Sequence, residues 1–155
     1  MIRILFCCHG NICRSPMAEQ IFLSLVKKRG LEKHFKIDSA ATSREEIGYP
    51  IYPPIRKTLI VHGIDPGTHR ARQITKKDYE DFDLLIGMDS ENRWSLRRFY
   101  NDDPLGKIHL LLDYTDNPKD VDDPWYTRDF GFAFNDIKEG CERLLAYLQK
   151  ENGLR

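Results

Sequence analysis

Cys8 and Arg14 stand six positions apart at a junction, where the apolar run ILFCC gives way to HGNICRSP and then to a stretch of helical spacing (residues 4–22). A thiol and a guanidinium at that separation suit attack on an anionic phosphorus centre. The backbone N–H groups of a tight loop feeding a helix N-terminus converge, and with the helix dipole they form a cradle for a phosphate-sized anion. The residues of that cradle are His9, Gly10, Asn11, Ile12, Cys13 and Ser15. Gly10 is expected to supply the unusual dihedral of the curl, with Asn11 the next most tolerant of a left-handed one. Cys8 opens the loop in the same field and is expected to be a thiolate near neutral pH, the nucleophilic form. Arg14 can fold back and hold two phosphoryl oxygens with its planar fork, a geometry lysine does not offer.

Plainer readings compete at each position. A buried cysteine is often only a small apolar residue. Cys7 and Cys141 read that way, whereas the loop around Cys8 has no packing rationale. His9, His34, His62 and His109 are scattered without metal-ligand spacing. Cys7, Cys8 and Cys13 do not supply the two pairs, each roughly two to four residues apart, that a zinc site would use. No metal and no cofactor are expected. Three crowded cysteines and one distant one are also unlike the disulfide framework of a secreted scaffold, which points to a reducing, cytoplasmic setting.

The nine-residue form C-x-G-N-x-C-R-S-P resembles the low-molecular-weight protein tyrosine phosphatase family, as do HRARQITKKDYEDFDLLIGMD (69–89) and DDPW (122–125). The resemblance implies hydrolysis of phosphotyrosine proteins or peptides and of small aryl phosphates through a cysteinyl-phosphate. A tyrosine leaving group has a pKa of about 10 and needs a proton donor. The family places that acid in an Asp-Pro loop, here Asp122-Asp123-Pro124. Asp123 is the better choice because Pro124 restricts it to an extended backbone that can project its side chain over a cleft. Neighbouring negative charge would keep it protonated for the first step, after which it would activate water. By the same resemblance Asn11, Ser15 and His69 hold the loop and tune the thiolate, and Asp89 is a supporting carboxylate. Trp125 and Tyr126 line the cleft for a flat ring. The loop after the second strand usually adds an aromatic to that wall; here Glu45 stands there, which would disfavour acidic peptides. Cys13 shares the loop with Cys8, so oxidation could bridge the two reversibly.

Three rivals have discriminating features. An arsenate reductase on the same scaffold would need two further cysteines near the third strand, and residues 70–106 contain none. A phosphoarginine phosphatase tends to carry Thr where this loop has Ile12. A non-catalytic phosphate-binding module would require neither the thiol nor the acid.

The elements that must position these groups are legible in outline. IRILFCC (2–8) reads as a buried strand, and Ser15-Pro16 as a helix start, the hydroxyl capping and the proline at the first helical position. A stripe of Met17, Ile21, Phe22, Leu25 and Val26 runs on to Gly30. HFKIDSAAT (34–42), DLLIGMD (83–89) and KIHLLLD (107–113) are further strands. SREEIGYPIYPP (43–54) reads as irregular loop, Ile55, Leu59 and Ile60 as a helix closed by Gly63, and SENRWSLRRFY as another. The loop YTDNPKDVDDPWYTRD then leads into a long helix striped by Phe130, Phe134, Ile137, Cys141, Leu144 and Leu148. Strands alternating with helices imply an α/β doubly wound sandwich with a central four-stranded parallel sheet of order 2-1-3-4 and the phosphate-binding loop after strand 1. At 155 residues one domain over 1–155 is expected, as monomer or weak dimer. With 24 basic and 24 acidic residues the net charge is zero, so nucleic acid and membrane are not expected partners. No signal-peptide pattern or membrane-length apolar run is present.

Overall fold

The computed structural model describes residues 1–155. Strands β1 (Ile2–Cys8), β2 (Phe35–Ala41), β3 (Leu84–Gly87) and β4 (Ile108–Leu110) form one parallel sheet of order β2-β1-β3-β4. Helices α1 (Arg14–Lys28), α2 (Pro53–Val61), α3 (Lys76–Asp81), α4 (Ser90–Phe99), α5 (Pro124–Thr127) and α6 (Phe130–Glu151) complete it. Because β1 pairs with both β2 and β3, the order reverses there, and the crevice above its carboxyl end is where such sheets bind ligands.

Alternation along β1 divides the core. Ile4, Phe6 and Cys8 pack on the face covered by α1, α2 and α6, in a cluster of 27 buried residues. Leu5 and Cys7 join a smaller cluster of nine with Leu85, Leu96 and Tyr100 on the other face. Parity therefore buries Cys7 among apolar side chains, where desolvation holds its thiol well above the ordinary range. It brings Cys8 to the end of the strand on the α1 face, at the start of the loop. Each large core side chain contributes about 1.5–3 kcal/mol. Cys141 is fully buried on the α6 stripe, as its spacing implies.

Several local expectations need correction. Ser15 is not the cap of α1. The helix begins two residues earlier, at Arg14 rather than Pro16, with Cys13 as a cap that makes no side-chain bond. This places Pro16 third in the helix, still within the first turn where a missing N–H costs nothing. Gly10 does not take the left-handed turn; Asn11 does, at φ 59°. What Gly10 provides is the absence of a side chain, since a Cβ there would lie 3.3 Å from Glu46 Cγ. The strands are shorter than their apolar runs: β3 stops at Gly87, and after Leu110 the chain tightens into a 3₁₀ turn. Pro53 and Pro54 open α2 rather than excluding it, and Ile60 is exposed. No helix is long and apolar enough to cross a membrane.

Candidate active site

Two backbone donors and one hydroxyl converge on the Cys8 sulfur. The backbone N–H groups of Asn11 and Ser15 donate to Sγ at 3.3 and 3.4 Å, and Ser15 Oγ lies 2.9 Å away. Beside that bond Asn11 is buried with its amide fully used. Its Nδ2 donates to Ser15 Oγ (2.8 Å) and Ser39 Oγ (3.0 Å), while its Oδ1 accepts from His69 Nε2 (2.7 Å) and the Arg72 N–H (3.2 Å). Two donors and two acceptors are all an asparagine side chain has. Ser15 Oγ, already accepting from Asn11, still has its own proton to give to the sulfur.

Behind Asn11 the network continues into the sheet. Ser39, near the end of β2, donates to Glu19 Oε1. Burial pushes the Glu19 carboxyl up to about 7, with Asp38 adding to the shift and the Ser39 bond opposing it. Burial lowers the His69 pKa. Glu19, Asp38 and His69 bring possible metal-ligand atoms within 4.8 Å of one another. All three are otherwise engaged, Glu19 with Ser39, Asp38 with Arg72 at 3.2 Å and His69 with Asn11. The cluster belongs to the loop's support.

Arg14 is 3% exposed and held from behind. Its Nη1 donates to Asp89 Oδ2 (2.7 Å) and the Val121 carbonyl (2.8 Å), and its Nη2 to Asp123 Oδ2 (3.4 Å). Burial alone would lower its pKa, but Cys8, Asp123 and Asp89 together hold it above the usual value. Asp89 also caps α4 through the Asn92 N–H at 2.8 Å, which ties the arginine's orientation to that helix. Asp123 has the extended backbone expected before proline (φ −80°, ψ 111°) and caps α5 through the Trp125 N–H.

The cleft above the loop measures about 170 Å³. Cys8, His9, Gly10, Ile12, Cys13, Arg14, Asp123, Trp125 and Tyr126 all border it, as do Glu45 and Glu46. Asn11, Ser15, His69 and Asp89 do not; they lie beneath or behind. Glu45 pairs with His9 Nε2 at 3.0 Å on the rim. Burial pushes the Cys13 thiol up. Residues with no part in the sequence reading also contribute: Ser39, Glu19, Arg72 and Glu46, and Tyr52, whose ring lies 4.8 Å from Trp125 and whose hydroxyl accepts from Arg128. A Tyr-Pro-Pro segment gives no signal for a cleft wall; folding alone brings it there.

A parallel sheet with a cysteine loop at its switch point, backed by a buried arginine and an Asp-Pro turn, defines an α/β protein built to hold a phosphoryl group against sulfur. The chain belongs to the low molecular weight phosphotyrosine protein phosphatase family, whose model matches residues 3–154. It is 46% identical to the low molecular weight protein-tyrosine-phosphatase YfkJ of Bacillus subtilis over 99% of this chain and 100% of that protein. The crystal structure of YfkJ superposes with a TM-score of 0.94, covering 97% and 96% of the two chains. The human low molecular weight phosphotyrosine protein phosphatase is 41% identical over 95% of this chain and 94% of that one. A Drosophila arginine phosphatase shares the fold at 31% identity, with a TM-score of 0.86 and coverage of 96% and 98%.

Proposed function

We propose that the chain hydrolyses phosphotyrosine and small aryl phosphates in two covalent steps at Cys8, without metal. The observation that carries this reading is the convergence of two backbone N–H groups and the Ser15 hydroxyl on the Cys8 sulfur, at the floor of a cleft that Arg14 and Asp123 also border. In the first step Sγ attacks phosphorus, the P–O bond to the aryl group breaks, and Asp123 gives its proton to the departing phenolate oxygen. Arg14 leaves its contact with Asp123 to bind two equatorial oxygens, and keeps its bonds to Asp89 and Val121 as the charge spreads. In the second step Asp123 takes a proton from water, the hydroxide oxygen bonds to phosphorus, and the P–S bond breaks to return the thiolate and inorganic phosphate. Ser15, donating to the returning sulfur, eases its departure.

Trp125 and Tyr126 at the mouth and Ile12 in the loop favour a flat aryl group over the guanidinium of phosphoarginine. Cys13, five positions after Cys8 in the same loop, acts as a redox partner: peroxide oxidises Cys8 to a sulfenic acid, and Cys13 displaces water to close a disulfide. The reduced cysteines belong to a cytoplasmic protein working as monomer or weak dimer.

Rapid-quench hydrolysis of an aryl phosphate tests the scheme. A burst of phenol equal to the enzyme concentration, with a trapped phosphoenzyme, is expected. Cys8→Ser should remove both while inorganic phosphate or vanadate still binds. Phosphoarginine peptides turned over faster than phosphotyrosine peptides would overturn the aryl preference.

A further inference from the structure

A cluster of three arginines outside the cleft lies on α4. Arg93, Trp94, Arg97 and Arg98 recur at positions one and four apart, so they share a flank of that helix. With Asp102 they line an open groove of about 550 Å³. Trp94 is 61% exposed, and the Arg98 guanidinium lies 5.2 Å from its ring centre. Asp102 neutralises Arg97 at 3.0 Å, while neither Arg93 nor Arg98 forms an ion pair with any carboxylate. The turn that carries Asp102 passes through three consecutive left-handed residues, Asn101, Asp102 and Asp103, at φ 51°, 64° and 60°. Few non-glycine residues adopt that backbone. Here it folds Asp102 back against the end of α4 and closes one edge of the groove. Tryptophan flanked by arginines is the composition of an interface core rather than of an inert solvated face.

The groove also lies on the helix that starts behind the reaction centre. Asp89, which holds Arg14 from behind, is the cap of α4, so the helix begins there and runs away from it. At 1.5 Å per residue, Arg93 to Arg98 lie about 6–14 Å along the axis from Asp89. An extended chain covers that in roughly two to four residues. On another side of the cleft stand Glu45 and Glu46. Like charge there turns an acidic segment away, and the unpaired arginines of α4 attract it.

We propose that this flank of α4 docks an acidic segment of the phosphotyrosine protein about two to four residues from the phosphorylated tyrosine, with one apolar side chain against Trp94. The proposal rests on the phosphotyrosine reading above and names which phosphotyrosine proteins that site prefers. A concave groove with Asp102 at its edge suits a chain segment better than a flat anionic bilayer.

Two phosphotyrosine peptides differing only in an Asp/Glu segment at that spacing, against its Asn/Gln counterpart, supply the test. The acidic peptide should show a KM about tenfold lower with kcat unchanged, a gap that narrows as salt is added. Arg93→Gln with Arg98→Gln, and separately Trp94→Ala, should abolish the gap and leave p-nitrophenyl phosphate turnover as it was. Equal KM values for the two peptides, or a gap that survives both variants, would overturn the docking surface. So would Trp94-dependent co-sedimentation with phosphatidylserine vesicles in the absence of peptide discrimination. If p-nitrophenyl phosphate is not hydrolysed at all, the phosphatase reading fails instead. Fluorescence anisotropy of the labelled acidic peptide, compared with its neutral counterpart on the same variants, still decides the docking.

Discussion

The base of the phosphate loop and the rim of its cleft are built on opposite principles. At the base, Asn11, Ser15 and Ser39 are at most 1% exposed, and every polar atom of the Asn11 side chain has a partner. At the rim, Tyr126 is 81% exposed and Trp125 44%, and the His9–Glu45 pair is half or more open to water. Breaking one bond of the base strands a buried polar group, at about 1–3 kcal/mol. An exposed ion pair is worth about 0–1 kcal/mol. The base thus fixes one arrangement of donors around sulfur, and the rim adapts recognition at little energetic risk. Substitutions below the loop should change the chemistry for all substrates alike; those above it should discriminate among substrates.

Arg14→Lys probes that division hardest. Lysine offers one compact charge where the guanidinium binds Asp89, Val121 and Asp123 in a fixed plane. A fall in kcat of about 10³ is expected with every leaving group. Asp123→Ala follows, at the boundary between base and rim. A lost general acid costs about 10²–10⁴ where the leaving group is basic and little where it is not. Phenyl phosphate should therefore slow by about 10² or more and p-nitrophenyl phosphate far less. Uniform slowing would show that Asp123 is not the proton donor.

Asn11→Ala comes third. It removes two donors and two acceptors at once, frees Ser15 Oγ to turn away from Cys8, and discards the side chain best suited to the left-handed backbone at φ 59°. A loss in kcat of about 10–100-fold is expected, equal across leaving groups, as the groups around the sulfur lose their support. Unchanged kcat would mean that the network supports the fold without touching the sulfur.

This division also marks where the sequence is readable. Strand, loop and helix around Cys8 follow from apolar runs and turn residues, and the order of the four strands agrees with the alternation of elements. The site's support does not. Ser39 sits in a strand where a small polar residue carries no signal, and Glu19 looks like any polar helix position until α1 is packed on the sheet. Ser15 shows how a strong local pattern misleads. Ser-Pro ahead of an apolar stripe is a helix-start signature, yet here the hydroxyl serves Cys8 and the helix begins without a side-chain cap. Helix α3 was within reach: Thr75 and Asp78 form a reciprocal capping box, a pattern visible in the sequence. Tyr52 was not, because only the long-range packing of Trp125 and Phe130 assigns it to the cleft.

Glu19→Gln should have the smallest effect on turnover, under about twofold, since glutamine can still accept from Ser39. It is read instead through stability. The groups facing Glu19 are Ser39, which donates to it, Asp38, which raises its pKa further, Arg72, which lowers it, and His69 Nδ1 at 3.8 Å. Burial outweighs the rest and places the folded carboxyl at about 7, against an ordinary value of 4.5. The folded state therefore binds the proton more tightly than the unfolded one, so its contribution is complete below pH 4.5 and is lost as pH rises through 7. His69 runs the other way, because its folded pKa is depressed, and its contribution grows as pH rises. That contribution is present in both proteins, so the difference between them reads mainly Glu19. Urea unfolding at about pH 5 and pH 8 should show the parent losing roughly 2 kcal/mol relative to Glu19→Gln across the interval. Parallel slopes would mean that Glu19 is charged throughout, and the base of the loop would then hold a buried carboxylate against its desolvation with only Ser39 and Arg72 to compensate.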